Sequence, residues 1–168
     1  MATRNQGARK GLMAVHILVT VSLLGTDLVL VLLTLSGWAG ADPRTVYPAA
    51  HLVGESLVEP LAVGALATGL LLAITGPYGL FRYWWTTIKL AITTALTAAV
   101  FIALIPALEA ASDASIAPAA SPQPLTLLLA PAIASALLAL NVVLAVFKPA
   151  ARLSRPAIPS TKPKEIPT

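Results

Sequence analysis

Of 168 residues, 57% are hydrophobic and 11% charged, and the mean hydropathy is +0.84, against roughly 45–50% apolar and about 25% charged in soluble domains. Lipid is therefore the expected solvent; the net charge of +4 and pI of about 9.8 would suggest nucleic acid in a soluble protein, but here the basic residues stand at the ends of apolar runs, as orientation in a membrane requires. The chain has no cysteine, which excludes disulfides, zinc ribbons, thiolate metal sites and cysteine nucleophiles.

Residues 1–11 read as a basic N-terminus carrying Arg4, Arg9 and Lys10. The first apolar run, about 12–36, is interrupted only by His16 and Asp27, and it exceeds the roughly 20 helical residues that cross the hydrocarbon core. Ala39-Gly40-Ala41 resembles a signal-peptidase site, yet the run before it is far longer than the apolar core of a signal peptide, about 7–15 residues. Gly37, Gly40, Asp42-Pro43 and Pro48 make 37–50 a connector. A second span is expected over 51–75, with Pro60 inside it. Gly76-Pro77-Tyr78-Gly79 then turns the chain, and Phe81-Arg82-Tyr83-Trp84-Trp85 is the aromatic and basic composition of a membrane interface. The third span is expected over 85–108, a loop over 109–124, and the fourth span over 125–147. The residues after Lys148, 149–168, hold Pro156, Pro159, Pro163 and Pro167 among basic residues, a composition that buries no core and reads as a disordered tail.

The fold expected is all-α: a transmembrane four-helix bundle over 12–148 with both termini cytoplasmic. That orientation places Arg4, Arg9, Lys10, Arg82, Lys89, Lys148, Arg152, Arg155, Lys162 and Lys164 inside and Arg44 alone outside, as the positive-inside rule demands. Small residues let helices approach closely in lipid, so Ala91, Ala95, Ala99, Ala103 and Ala107 are expected to form the packing face of the third span. Ala65 and Gly69 serve the second and Ala132 and Ala136 the fourth.

Each ionisable group at membrane depth needs a reason, since burying one costs at least about 2.5–3.5 kcal/mol. His16 and Lys89 fall in one layer, about 5–8 Å from the cytoplasmic ends of their helices; Lys89 can snorkel to the headgroups or line a ligand site with His16. Asp27, Glu55 and Glu59, with His51 at the rim, fall in an outer layer. His51, Glu55 and Glu59 share a helical face, a spacing that suits a cation or a proton relay as well as wetted surface carboxylates. No nucleophile elbow, phosphate loop or dinucleotide fingerprint is present, so no catalytic residue is assigned.

Ala14-Val15-His16, Pro60-Leu61-Ala62, Ala67-Thr68-Gly69-Leu70, the block from Gly76 to Trp84 with Lys89-Leu90 after it, and Phe147-Lys148-Pro149 resemble a set of actinobacterial four-span membrane proteins. More distantly, the pattern is similar to the copper-resistance D-like superfamily, which includes a haem-associated membrane protoporphyrinogen oxidase. That resemblance implies a role for a first-helix histidine and a lysine early in a later, aromatic-led helix, the positions held here by His16 and Lys89. Methionine is confined to positions 1 and 13, and the further motif residues of the oxidase are absent. The functional expectation is a multi-pass protein of the cell membrane with no activity assigned, and the first specific reading after that is a bundle that holds a ligand such as haem. An ion or proton pathway, and a structural or accessory subunit, stand as alternatives. The expected partners are the lipid bilayer and a membrane protein or second copy of the chain, not nucleic acid.

Overall fold

A computed structural model of the chain describes residues 2–75, 84–116 and 125–147. Six α-helices, α1 (Ala2–Trp38), α2 (Pro43–Val53), α3 (Glu59–Thr75), α4 (Trp84–Ala99), α5 (Ile105–Ile116) and α6 (Thr126–Phe147), make up four spans, because short π-helical turns at Gly54–Val58 and Val100–Leu104 join α2 to α3 and α4 to α5. Four stretches are long and apolar enough to cross a membrane: Gly7–Trp38, Pro43–Thr75, Thr86–Ile116 and Thr126–Leu144. The four-span, all-α reading therefore holds. The Gly76–Tyr83 turn, the segment 117–124 and the tail from Lys148 lie outside the described residues.

Several boundaries differ from expectation. The helix of the first span begins at Ala2 rather than near 12, that of the second at Pro43 rather than 51, and the third span runs on to Ile116 rather than ending at 108. Residues 43–50 read as a connector because of their prolines, but Pro43 sits in the first turn, where its missing N–H costs nothing. Asp42 caps that turn, accepting from the Arg44 N–H at 3.1 Å. The expected loop at 109–116 is helical because Leu108, Ala111, Ser112 and Ser115 bury themselves among the other spans. At about 1.5 Å per residue, the 33-residue second span and the 31-residue third outrun a hydrocarbon core of about 30 Å, so α2 and α5 carry the bundle past one face of it.

Each π turn stops one residue short of a proline. Glu59 N–H bonds Gly54 O ahead of Pro60, and Ile105 N–H bonds Val100 O ahead of Pro106. A proline in a helix drives off the carbonyl four residues earlier, and a widened turn takes up that displacement without ending the helix.

The spans form a closed ring. α1 packs along α2 and α3 on one side and α6 on the other, α2 lies on α5, α3 on α4, and α4 touches α6. Leu30, Leu108, Val58 and Leu104 meet at the centre, while Leu18, Leu32 and Ile102 stay 69%, 65% and 78% exposed. Such an apolar exterior is untenable in water and is what lipid solvates.

The alanine stripe of the third span is a correction. Ala91, Ala95, Ala99, Ala103 and Ala107 are all exposed, and the inward face is Thr97, Val100, Leu104, Leu108 and Ala111. A four-helix ring has a centre to fill, and Val and Leu fill it with dispersion contacts that Ala cannot supply. Close approach belongs instead to the second span, where Ala65 is buried, and to Gly37, whose added Cβ would stand 2.9 Å from the Tyr47 hydroxyl oxygen and 3.1 Å from its ring carbon Cζ. Because Tyr47 is itself buried, Gly37→Ala should cost about 1–3 kcal/mol, read as a shifted unfolding midpoint in detergent. An unchanged midpoint would mean that the ring moves aside freely.

Candidate functional site

Three helical stripes converge near the end of the bundle where the chain begins. Arg9, Met13, His16 and Ile17 of α1, Ala65, Leu66, Gly69, Leu72 and Ala73 of α3, and Thr86, Lys89, Leu90 and Thr93 of α4 line one cavity of about 440 Å³. Each set follows the three- and four-residue steps of a single helix face. The volume lies in the range of small-molecule sites, about 300–1,000 Å³, and the mix of an apolar wall with a few convergent polar groups is what such sites show.

His16 is fixed by a hydrogen-bond chain. The Thr68 hydroxyl donates to Gly64 O at 2.6 Å, so its oxygen accepts from His16 Nδ1–H at 2.8 Å. That arrangement leaves Nε2 as the ring atom with a free coordination position in the neutral imidazole. Gly69 lies against the ring: a Cβ there would approach His16 Cε1 to 3.2 Å. On α4, the Thr93 hydroxyl donates to Lys89 O at 2.9 Å and accepts from Asn141 Nδ2 at 3.3 Å. Thr86 Oγ1 and Asn141 Oδ1 are buried without a hydrogen-bond partner among the described residues.

Among the described residues the lining holds Arg9, Lys89 and His16 but no carboxylate. The sequence explains why. No Asp or Glu occurs before Asp27 or between Pro60 and Leu108, so the parts of α1, α3 and α4 that surround the cavity bring nothing to neutralise the cations.

The other intramembrane groups are placed elsewhere. Asp27 is 2% exposed and accepts from Ser135 Oγ at 2.6 Å across α1 and α6. His16 faces α3 instead, so the two polar groups of α1 serve different neighbours. His51 Nε2 stands 4.0 Å from Glu55 Oε2, with the Glu55 side chain 62% exposed, and Glu59 is half-buried. Among the described residues, no three His, Asp or Glu side chains come together as a metal site.

Sequence reasoning placed His16 and Lys89 in one layer but missed Arg9, Thr68, Asn141 and Ser135. Arg9 carried a signal, since it precedes His16 by seven residues, two helical turns along one face, and only the late helix start assumed for the first span hid it. The chain matches no family model, and no match is found among curated proteins or solved structures.

Proposed function

We propose that this chain is a multi-pass membrane protein whose bundle binds a ligand between His16 and Lys89, with haem as the ligand to test first. The observation that carries this reading is the shared cavity, which both residues line. The residues fit haem in three respects. His16 is held by Thr68 through Nδ1, so its Nε2 would be the atom to hold the iron, with the other nitrogen pinned. Gly69 leaves the Cε1 side of the imidazole clear of a side chain. Lys89 and Arg9 supply cations for propionate groups. When bound, haem would bring redox or electron-transfer chemistry; the chain's own part is to hold and orient it. The resemblance of His16 and Lys89 to the superfamily pattern supports the same assignment, and the distribution of Lys and Arg supports a cytoplasmic position for both termini and for this end of the bundle.

Protein expressed with haem supply should show a Soret band after purification, and His16→Ala should remove it. A spectrum without that band, or one indifferent to His16→Ala, rules haem out.

A further inference from the structure

Resting on the ligand reading of the same cavity, we infer that its natural occupant is an amphiphile with an anionic head, a phosphate or carboxylate held by Lys89, Arg9 and Thr86, and an apolar body against α1 and α3. Four observations converge on this class.

The charge is uncompensated. Arg9 and Lys89 share one cavity without an acidic partner among its described lining residues, and like charges held together at a membrane face are stabilised by an anion. A hydrogen-bonding group is also left over, since Thr86 is a lining residue and its Oγ1 is buried without a partner among the described residues. An oxyanion accepts from a hydroxyl and from ammonium and guanidinium groups together. The rest of the wall is apolar, with Met13, Ile17, Leu66, Leu72 and Leu90, which suits an acyl, prenyl or ring system and not a free inorganic ion. Finally, the cavity is lined by three spans, through α1, α3 and α4, and among the described residues α6 contributes nothing to it. With Arg9 and Lys89 near the starts of their helices, it sits among the spans at one end of the bundle, and basic pockets between helices at a membrane face receive lipid headgroups.

The test uses the full chain, delipidated in detergent, with bound lipid counted by native mass spectrometry. Phosphatidylglycerol should be retained over phosphatidylcholine by about tenfold or more. Lys89→Met and Arg9→Gln should each weaken phosphatidylglycerol by about fivefold, roughly the contribution of one basic residue near an anionic headgroup. Lys89→Arg should restore the preference. Lys10→Gln, an exposed neighbour outside the cavity, should leave it unchanged. Equal retention of the two lipids overturns the inference, as does equal loss in Lys10→Gln and Lys89→Met. Displacement of phosphatidylglycerol by millimolar inorganic phosphate would show that the apolar body is not recognised and would overturn it too. The Soret measurement reads His16 Nε2, whereas this one reads Arg9 and Lys89, so the two can fail separately. A lipid preference without a Soret band supports the anionic amphiphile and removes haem; a His16-dependent band with no lipid or charge preference does the reverse.

Discussion

Asp27→Lys should leave little folded protein, Ser135→Ala should cost about 1–2 kcal/mol, and Asp27→Asn should be almost silent. The order follows from one contact. Asp27 is 2% exposed and Ser135 8%, and the 2.6 Å hydrogen bond between them joins α1 to α6. Interhelical bonds of this kind average about 0.6 kcal/mol in membranes and reach about 1.7, while an unpartnered buried acceptor costs about 1–3. Ser135→Ala removes the donor and strands the carboxyl, hence its middle place. Asn keeps an oxygen for Ser135 and removes an ionisable group from a site that disfavours charge. Lysine adds about 2.5–3.5 kcal/mol for a charge near the helix centre and about 1–3 more for crowding the close contact with Ser135, a total that reaches the lower end of a typical domain's whole stability, about 5–15 kcal/mol. Denaturant titrations of the purified variants in detergent rank them. A loss for Asp27→Asn larger than that for Ser135→Ala would show that the carboxylate does something beyond clasping two helices.

The span count was legible because lipid selects composition over long windows, and a run of twenty apolar residues admits few other readings. Element ends were less legible. Pro43 announces a connector only if position within a helix is ignored, since at the first turn it is a helix starter; Pro48 is carried inside α2. The third span offered two faces of similar polarity, and the small-residue rule chose the wrong one, because that rule describes a pair of helices touching and this span contributes to the filling of a four-helix centre. His16 and Lys89 could be assigned to one depth from sequence, since depth depends only on counting along each helix. That they share a cavity depends on how each helix is rotated, which the packing of all four spans decides. The partners Thr68, Ser135 and Asn141 were invisible for the same reason: a hydroxyl or amide in a span announces nothing until its neighbour is known.

Rotation also yields the second large effect. A π turn is an α-helix with one residue too many, so the turn at Gly54–Val58 fixes how α3 is rotated relative to α2. Deleting Leu57, an exposed residue of that turn, together with Pro60→Ala, should convert the segment to plain α-helix and leave both flanks in register. Folding, the His16–Thr68 hydrogen bond and ligand retention should survive, at a cost of no more than about 1–2 kcal/mol for lost contacts. Deleting Val63 removes a residue that is just as exposed, but its loss falls inside regular helix and turns one side of α3 by about 100° relative to the other. Ala65, Thr68 and Gly69 cannot then keep facing α1 while Val58 and Gly54 keep their places against Ile105 and Leu108. The expected result is loss of the fold or, at the least, loss of any ligand the cavity holds. Two deletions six positions apart, the first combined with Pro60→Ala, therefore give opposite outcomes, read by detergent unfolding and by lipid and haem retention. If both are tolerated, or both are lethal, the widened turn does not set the register that aligns α3 with His16, and the cavity owes its shape to something other than the rotation of that helix.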